Sequence, residues 1–527
     1  MDIQNPPTPN PIAKKRLEAG QGGDAPSSTP IMVETAIKKY TTWIEKAGLD
    51  IKSHQITAMR WALRHELSVQ PLDGIRGGLI ADEMGLGKTI ILLGLIVSNF
   101  RRSTLIIVPR SLLDQWQRVI ERFFGHEPLI YHGSTLKKGK KLLIQGKLAP
   151  IVLTTYGIMQ TRKKECPLHN ITWSRLICDE AHHLRNKGKL YESIIRIKAK
   201  IKWMVTGTPL QNRKSDLQVL CEVLGLLPSF HAAPEATTEI ILRHSLRRTK
   251  KQVGIKLPPK KSSLIKVRWS SAEEMEFCRQ IHAQVTFPCV TLKNVNRIMA
   301  FLGNGTLAWY TRLRQVSILP HLLQPKIDKL IEEGFIDEDM VLSKIKTASK
   351  LTAVAKFLKK RRNNKRRKLV FCHYHGEIDM LQSLLKKCDI TTCVIDGRSR
   401  AAEKRFSTLS LPTEADVRSV CQKWKNIPAD IYSHIDKFMA PQVCLVQIQA
   451  ASEGLNLQHF QEIYFTSPWW NPALEDQAIA RAHRIGQNQK VEVFRFAMEN
   501  FGGQSLSLDQ YCMIVQEKKR ELMNFFQ

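Results

Sequence analysis

A glycine-rich segment followed by a lysine and a threonine is the part of this sequence that most directly implies chemistry. It reads IADEMGLGKT over residues 80–89 and is called the phosphate loop below. Gly85 and Gly87 allow the backbone to turn its N–H groups toward a polyphosphate, and the Lys88 side chain can reach the terminal phosphates. Thr89 can hold Mg²⁺ at the start of the helix that the next apolar run predicts. This order of strand, loop and helix predicts a nucleotide site; the alternative is a glycine-rich turn between packed elements.

A pair of adjacent carboxylates supplies the second chemical feature. The segment LICDEAHHL places Asp179 and Glu180 at the end of an apolar run. We expect Asp179 to bind Mg²⁺ through water and Glu180 to position or activate the attacking water. His182 and His183 follow, but the HExxH spacing is absent and no nearby cysteine pair completes four ligands. The two segments together predict a nucleotide hydrolase and favour no zinc site.

Short apolar runs around these segments indicate the elements that would position them. The runs alternate with helical stretches, a rhythm typical of parallel sheets covered by helices. We therefore expect an α/β fold in which the chemical residues follow the ends of strands. The runs are LIIV at 105–108, IVLTT at 151–155, LICD at 176–179, KLVFCHY at 368–374, CLVQI at 444–448 and EIYFTS at 462–467.

Composition points to a polyanion as partner. The chain has 527 residues, enough for two or three domains, and its 80 basic against 48 acidic residues leave a net charge of +32. Its 11 cysteines form no CxxC pairs, which indicates a reducing compartment rather than a disulfide framework. No segment resembles a signal peptide, and the strongly apolar run at 90–97 is too short for a bilayer of about 30 Å. We expect no membrane association.

Further motifs occur in a fixed order, and with them the chain resembles the SWI/SNF family of superfamily 2 helicase-like ATPases. Within that family it looks most like the branch of post-replication-repair translocases and lodestar-type termination factors. As a motor without added domains it is also similar to the global transactivators of large DNA viruses. The motifs are HQITAMRW at 54–61, TLIIVPRSLLDQW at 104–116, IVLTTYG at 151–157, TGTPLQN at 206–212, LRRTK at 246–250, LPPK at 257–260, KLVFCHYHGEIDML at 368–381 and SPWWNPALEDQAIARAHRIGQ at 467–487.

The resemblance implies an α/β fold of two RecA-like parallel-sheet lobes with helical insertions and a C-terminal helical brace. We expect a disordered tail that is basic and rich in proline, because its composition offers too little apolar material to pack. The segment 398–442 is longer than the family normally carries, and it is either a surface helical insert or a partner-docking element. The expected divisions are the tail at 1–32, lobe 1 at 33–256, a helical insertion and interlobe connection at 257–345, lobe 2 at 346–500 and the brace helix at 501–527.

The resemblance also assigns the nucleotide site. Arg481 and Arg484 are three residues apart, so we expect both to project from one face of a helix toward the nucleotide across the interlobe cleft. With Lys88, Asp179 and Glu180 they form the expected catalytic set, and Thr89 and Asp179 the Mg²⁺ set. Asp82 departs from the generic loop, which has a glycine there. The expected ATP contacts are Gln55, which reads adenine, and Asp82, Met84, Gly85, Leu86, Gly87, Lys88, Thr89, Gly454 and Gln477.

Nucleic acid is expected in a groove across both lobes, where the motif loops end. The candidate donors are mainly hydroxyl, amide and backbone N–H groups, which suits contact with phosphates rather than base reading. Trp470 is the open case, since it either faces DNA or packs in the core, and Trp469 is the other candidate for burial. The candidates are Arg110, Ser111, Thr154, Thr155, Tyr156, His373, Asn456 and Trp470.

Two segments leave alternatives open. The run KKRRNNKRRK at 359–368 is a nucleic-acid contact, a nuclear import signal or a solvated charge run. In the segment at 449–457, Ala450, Ala451 and Ser452 replace the family's Ala-Gly-Gly, so coupling between ATP and DNA could be altered.

The function implied is a DNA-stimulated ATPase that uses ATP and Mg²⁺ to translocate on double-stranded DNA. It would displace or remodel chromatin, transcription or repair complexes in the nucleus, of the host cell if viral, without separating strands. Nucleosomes or other nucleoprotein would be its partners. The alternatives are a strand-separating DNA or RNA helicase and, from another class, a non-catalytic DNA-binding transcription regulator.

Overall fold

Two parallel β-sheets, each covered by helices, form the framework of the computed structural model, which confirms the expected α/β class with two parallel-sheet lobes. The two sheets are built from successive parts of the chain, with one crossover near residue 260. The residues that the structure describes are 28–137, 139, 141, 149–160, 166–184, 187–207, 214–226, 243–292, 294–295, 304–337, 339, 342–396, 398, 443–448, 457–502 and 505–525.

Lobe 1 contains a seven-stranded parallel sheet in the order β3-β4-β2-β5-β6-β1-β7. Its strands are β1 (Gly77–Ile80), β2 (Thr104–Val108), β3 (Leu129–Tyr131), β4 (Ile151–Thr155), β5 (Trp173–Asp179), β6 (Ala199–Val205) and β7 (Ser245–Leu246). Its helices are α1 (Ser28–Lys46), α2 (Ser53–Leu67), α3 (Lys88–Ser98), α4 (Leu113–Phe124), α5 (Tyr156–Met159), α6 (Lys189–Ile195) and α7 (Lys214–Leu224). Every residue of β2 and β4 is buried, as expected for strands covered on both faces.

Lobe 2 contains a six-stranded parallel sheet in the order β10-β11-β9-β12-β13-β8. Its strands are β8 (Lys260–Val267), β9 (Lys368–Cys372), β10 (Thr392–Ile395), β11 (Val443–Gln447), β12 (Glu462–Phe465) and β13 (Val491–Met498). The helices from this half are α8 (Ala272–Ala283), α9 (Asn304–Ile318), α10 (Ile327–Glu332), α11 (Ser349–Lys360), α12 (His375–Lys386), α13 (Pro472–Ala482) and α14 (Leu508–Phe525).

The structure differs from the expected divisions at two places. The helical insertion was expected to lack strands, but β8 pairs with β13 along its whole length, from Lys260 beside Val491 to Val267 beside Met498. Its sequence, KKSSLIKV, is polar because β8 is an edge strand with most side chains exposed, so the usual apolar signal is missing. At the other end, α1 begins at Ser28, inside the segment expected to be disordered.

Helices α8, α9 and α14 share a hydrophobic cluster beside the second sheet. Phe277, Leu313, Tyr511 and Val515 are buried in it. The final helix α14 begins at Leu508, whose N–H donates to Nε2 of His282 on α8 at 3.1 Å. The end of the described chain is thus packed against the insertion. No helix within the described ranges combines the length and apolarity needed to cross a membrane.

A fully buried ion pair joins the elements of lobe 1. Arg175 on β5 donates to both carboxylate oxygens of Glu66 at 2.8 and 2.6 Å, and neither side chain is exposed. Trp203 on β6 donates to the same carboxylate at 2.8 Å, and so does Asn99 at 2.7 Å. Glu66 therefore ties the end of α2, which carries the predicted adenine-reading residue, to the centre of the sheet.

We predict that Glu66→Ala destabilises lobe 1 by about 3 to 5 kcal/mol, because the charge of Arg175 is then buried without its partner. The measurement is the free energy of unfolding from urea titration. The control is Glu34→Ala, which breaks the exposed pair between Glu34 and Arg60 and should change stability by less than about 1 kcal/mol. Equal effects of the two substitutions would contradict the assignment.

Candidate nucleotide site and interlobe cleft

The phosphate loop connects β1 to α3 and has the backbone that its glycines predict. Gly85 has φ +90° and Gly87 has φ +83°, both in the left-handed region that side chains other than glycine rarely adopt. Gly87 precedes the first residue of α3, and no side chain among the described residues caps this helix. The N–H groups of the first helical turn are therefore available to an anion, and the helix dipole favours negative charge at the same place.

Gln55 lies against this loop, as the adenine-reading assignment requires. Its Nε2 is 3.5 Å from the carbonyl oxygen of Leu86, and Nε2 of the neighbouring His54 is 3.1 Å from the same oxygen. A Cβ added to Gly87 would lie 2.3 Å from Nε2 of Gln55. Glycine is thus favoured at this position by its backbone conformation, and a side chain there would also displace the Gln55 amide.

The side chain of Asp82 is bonded to Arg248, so any contact of this residue with a nucleotide would come from its backbone. Its side chain is fully buried and accepts three hydrogen bonds from Arg248, from the backbone N–H at 3.0 Å, Nε at 3.1 Å and Nη2 at 2.5 Å. Arg248 belongs to the LRRTK motif. The carboxylate at the position of the generic glycine therefore links the phosphate loop to the segment leaving lobe 1, and only its backbone belongs to the cradle.

Lys88 lies within the loop, where its ammonium is held by backbone oxygens. Nζ donates to the carbonyl oxygen of Asp82 at 2.8 Å. Burial lowers the pKa of Lys88, while the charges of Glu180 and Asp179 oppose that change. A Cβ on Gly207 would lie 3.2 Å from this Nζ and 2.6 Å from Cγ of Met84. The start of the TGTPLQN motif therefore packs directly against the phosphate loop.

The predicted carboxylate pair follows β5 and is held in a defined orientation. Asp179 accepts a hydrogen bond from Nε1 of Trp116 at 2.9 Å and another from the N–H of Glu180 at 3.0 Å. Glu180 has φ +50°, an uncommon conformation for a residue with a side chain that is found at functional sites. The two carboxylates therefore lie at a strained turn at the strand end.

The pKa values of the two acids shift in opposite directions. Burial raises the pKa of Asp179 to about 6, and the charge of Glu180 adds to the rise. Burial acts on Glu180 in the same direction, but the hydrogen bond and charge of His182, 3.3 Å away, together with Lys88 and Arg481, lower its pKa. Glu180 is therefore ionised, and its carboxylate can orient a water by accepting its hydrogen bond.

The two arginines reach the site, but not from one helical face as expected. Helix α13 contains Arg481 and ends at Ala482, because His483 has ψ 76° and leaves the helical conformation. Arg484 lies beyond the helix. Its Cβ is 3.7 Å from the position that a Cβ on Gly85 would take, so Arg484 lies beside the phosphate loop. The charge of Arg481 lowers the pKa values of Lys88 and Glu180, which places it near the same cleft.

The other residues expected to contact the nucleotide differ in burial. Leu86 is fully buried within the loop, Thr89 is half-buried in the first turn of α3, and Gln477 is buried on α13. Gly454 lies outside the described residues. Among the described residues, no group of three or more His, Cys, Asp or Glu side chains is arranged to hold a metal ion.

The DNA candidates of lobe 1 divide into exposed and internal side chains. Arg110 and Ser111 are exposed, and Arg110 pairs with Asp114 at 3.3 Å. The hydroxyl of Thr154 donates to the carbonyl oxygen of Tyr131 at 3.0 Å, within the sheet. The other two candidates also make internal bonds: Thr155 caps α5 through Ile158, and the Tyr156 hydroxyl donates to the carbonyl oxygen of Asp179 at 2.7 Å. The hydroxyls of Thr154 and Tyr156 are thus engaged inside the lobe, and DNA contact by these residues stays a prediction.

Trp469 and Trp470 of lobe 2 are both half-buried. Trp470 packs against the helical cluster with its ring edge-on to Tyr310 at 5.3 Å, and its contact with DNA stays a prediction. Trp469 stacks on His373 with ring centroids 4.8 Å apart and planes 4° apart. His373 is buried, its Nε2 is 3.2 Å from the carbonyl oxygen of Ser467, and burial holds its pKa well below the usual range. Asn456 lies outside the described residues.

Comparison with known proteins identifies the class. Residues 54–322 match the SNF2-related domain, and residues 430–486 match the helicase conserved C-terminal domain. The two sheets, the phosphate loop and the carboxylate pair are those of a two-lobed, helicase-like ATPase. The chain belongs to the SNF2-related family.

Individual relatives agree with this membership. The chain is 28% identical over 523 residues to the ISWI chromatin-remodeling complex ATPase ISW1 of Saccharomyces cerevisiae, covering 90% of this chain and 41% of that protein. It is 24% identical over 633 residues to the DNA repair protein RAD5 of Candida glabrata, covering 85% of this chain and 54% of that protein. It thus spans about half the length of these relatives. A solved structure of the Sulfolobus solfataricus SWI2/SNF2 ATPase core in complex with dsDNA is 20% identical, with 85% of this chain and 88% of that chain covered and a TM-score of 0.36. The similarity to viral members stays a prediction.

Trp116, Arg248 and Lys250 are site residues that sequence reasoning missed. Trp116 closes the TLIIVPRSLLDQW motif, while Arg248 and Lys250 belong to LRRTK, so the motifs contained the signal. What they did not reveal is the partner of each side chain, because these contacts join residues 63 to 167 positions apart.

We predict that Trp116→Phe raises the Mg²⁺ concentration needed for half-maximal ATP hydrolysis about fivefold, because Asp179 loses the donor that orients it, worth about 1 kcal/mol. The matched control is Trp173→Phe, which removes a buried indole donor to the carbonyl oxygen of Leu168 at 3.0 Å, away from the carboxylates. Both variants should lose similar stability, and only the first should change the Mg²⁺ requirement. A parallel shift in both would contradict the assignment.

Proposed function

We propose that this chain is an ATP-dependent motor that translocates on double-stranded DNA and displaces or remodels bound protein without separating the strands. The observation that carries the proposal is the meeting of two lobes at one cleft, where Arg484 of lobe 2 lies beside Gly85 of lobe 1. A site shared between lobes makes hydrolysis depend on their relative position. That dependence is what a motor requires.

The residues of the cleft divide the hydrolytic work. The N–H groups of the phosphate loop and the ammonium of Lys88 bind the phosphates of ATP. Glu180, held ionised, orients the attacking water by accepting its hydrogen bond. Arg481 and Arg484 stabilise the charge that develops on the γ-phosphate.

Mg²⁺ fits the donor set at this place. Asp179 offers a carboxylate fixed by two hydrogen bonds at a strand end, and Thr89 offers a hydroxyl at the first turn of α3. Both are oxygen ligands of the kind that Mg²⁺ prefers, and when bound the ion neutralises phosphate oxygens. These two residues would hold it.

The substrate of the motor is proposed to be nuclear DNA with bound protein. The net charge of +32 supports a polyanion partner. Relatives named for chromatin remodelling and for DNA repair support nucleoprotein as the target and the nucleus as the location. Closing of the lobes would advance lobe 2 along one strand, and opening after hydrolysis would reset it.

We predict that duplex DNA stimulates ATP hydrolysis at least as well as single strands or RNA. ATP should drive displacement of the third strand from a triplex while a forked duplex stays paired. Lys88→Ala is the control: it should abolish hydrolysis and leave DNA affinity largely unchanged, because Lys88 lies in the nucleotide loop. Efficient unwinding of the fork, or stimulation by RNA alone, would favour the helicase alternative. Absent hydrolysis would favour the non-catalytic regulator, and hydrolysis that no nucleic acid stimulates would contradict the translocase.

The basic run at 359–368 contains structural and exposed cations. Arg361 donates to Glu462 and Glu492, each at 2.6 Å, and Arg366 donates to Glu492 at 2.7 Å. Lys368 is fully buried, and its Nζ donates to the carbonyl oxygen of Arg366 at 2.7 Å. The run is therefore folded at the start of β9, which does not suit an extended import signal. Its exposed cations are Lys359, Lys360, Arg362 and Lys365.

We predict that changing these four exposed cations to alanine reduces the slope of log affinity for duplex DNA against log salt, by about 0.9 for each phosphate that the variant no longer neutralises. The measurement is fluorescence anisotropy over a range of salt concentrations. The matched control changes four exposed lysines of lobe 1: Lys38, Lys39, Lys198 and Lys200. An unchanged slope with reduced nuclear import would select the targeting alternative.

A further inference from the structure

The segment that leaves lobe 1 after β7 and enters lobe 2 at β8, residues 246–260, is called the connector here. Its first part runs along the phosphate loop. The N–H of Ala81 donates to the carbonyl oxygen of Leu246 at 2.7 Å, and the N–H of Glu83 donates to that of Arg248 at 2.9 Å. The ladder between β1 and β7 thus continues past the strand ends and includes the loop itself.

Side chains strengthen this attachment. Besides the bonds between Arg248 and the buried Asp82, the N–H of Lys250 donates to Oε2 of Glu83 at 2.7 Å, and its Nζ lies 3.1 Å from Oε1. Nη1 of Arg248 also donates to the carbonyl oxygen of His54 at 2.5 Å, beside the adenine-reading Gln55. The first part of the connector, residues 246–250, is therefore attached to the phosphate loop by both backbone and side-chain bonds.

The last part of the connector is attached to the segment that carries the arginines. Nε2 of His483 donates to the carbonyl oxygen of Pro258 at 2.8 Å. His483 is the residue that ends α13, and it stands between Arg481 and Arg484 in the chain. The N–H of Val491 donates to the carbonyl oxygen of Pro259 at 3.0 Å, which joins the same part to β13.

The two attachments meet at Gly85. A Cβ placed there would lie 3.5 Å from Cε of Lys250 and 3.7 Å from Cβ of Arg484. Phosphate loop, connector and arginine segment are therefore in mutual proximity, although they come from three distant parts of the sequence.

We propose that the connector sets the position of the arginines relative to the phosphate loop, with Arg248, Lys250 and His483 as positioning residues. This inference rests on the proposed function. Rotation of lobe 2 moves the Pro258 end while the Arg248 end stays on the loop, so the connector transmits lobe movement to both sides of the nucleotide. Neither Arg248 nor His483 needs to touch the nucleotide for this role.

The test compares His483→Ala with His483→Gln, because glutamine keeps an N–H that can donate to Pro258. The alanine variant should lower the kcat of DNA-stimulated hydrolysis about tenfold, as the loss of one hydrogen bond at the reacting geometry allows, and change the KM for ATP less than twofold. The glutamine variant should recover most of the rate. Loss of nucleotide affinity in the alanine variant, an unchanged kcat, or no recovery with glutamine would overturn the proposal.

A second arm weakens the other end of the connector with Lys250→Met, which removes the ion pair with Glu83 and keeps the backbone bond. Since both substitutions act on one element, the double variant should be slowed little more than the slower single variant. If the double variant is slowed by the product of the two single effects, the substitutions act independently, and the proposal is overturned. Thermal unfolding of each variant separates these effects from misfolding. If the unmodified protein hydrolyses ATP without DNA stimulation, the translocase function fails, while the same comparisons on basal turnover still test the connector.

Discussion

The buried ion pair between Asp82 and Arg248 is the interaction on which the rest of the site depends. A carboxylate without solvent exposure is tolerated only with a partner that satisfies it, and Arg248 satisfies Asp82 with three hydrogen bonds. The phosphate loop is therefore held to the segment that leads to lobe 2 by side-chain as well as backbone bonds. A glycine at this position would keep the backbone bonds of Ala81 and Glu83 to that segment but would lack the side-chain bonds to Arg248. The departure from the generic motif thus strengthens the attachment of the loop to the connector.

The parallel sheets explain why the catalytic groups converge. Asp179 follows β5 and Gly207 follows β6, and both meet Lys88 at the edge where β1 enters the phosphate loop. Strand ends in one parallel sheet share an edge, so residues far apart in sequence lie together without long loops. The one residue with a side chain that is forced into a left-handed backbone at this edge is Glu180, among those the structure describes there. The turn there places its carboxylate 3.3 Å from Nδ1 of His182, and the pKa values of the two acids shift in opposite directions.

Much of this arrangement could be predicted from the sequence, and the predictions that were wrong have a common cause. The apolar runs of β2, β4, β5, β9, β11 and β12 were readable because both faces of those strands are buried. Strand β8 was missed because an edge strand can be polar, and its pairing with β13 depends on residues more than two hundred positions away. The prediction for Arg484 was wrong for the same reason, because the spacing predicted one helix that carries both arginines. The helix ends before Arg484, and His483 donates a hydrogen bond to Pro258 at that end. The local pattern of apolar residues predicts burial well, but tertiary structure determines the partner of a polar side chain.

Buried acidic residues affect how much of the net positive charge lies on the surface. Glu66, Asp82, Glu462 and Asp509 are all buried, and each is paired with a basic residue. Every such pair removes one acid and one base, so pairing leaves the excess of +32 intact while reducing the acids available to the surface. The basic run at 359–368 contains both paired and exposed cations. Arg361 and Arg366 are paired with acids, and Lys359 and Lys360 are exposed. Internal ion pairs therefore concentrate positive charge on the outside, and the electrostatic attraction to a polyanion exceeds what the ratio of basic to acidic residues suggests.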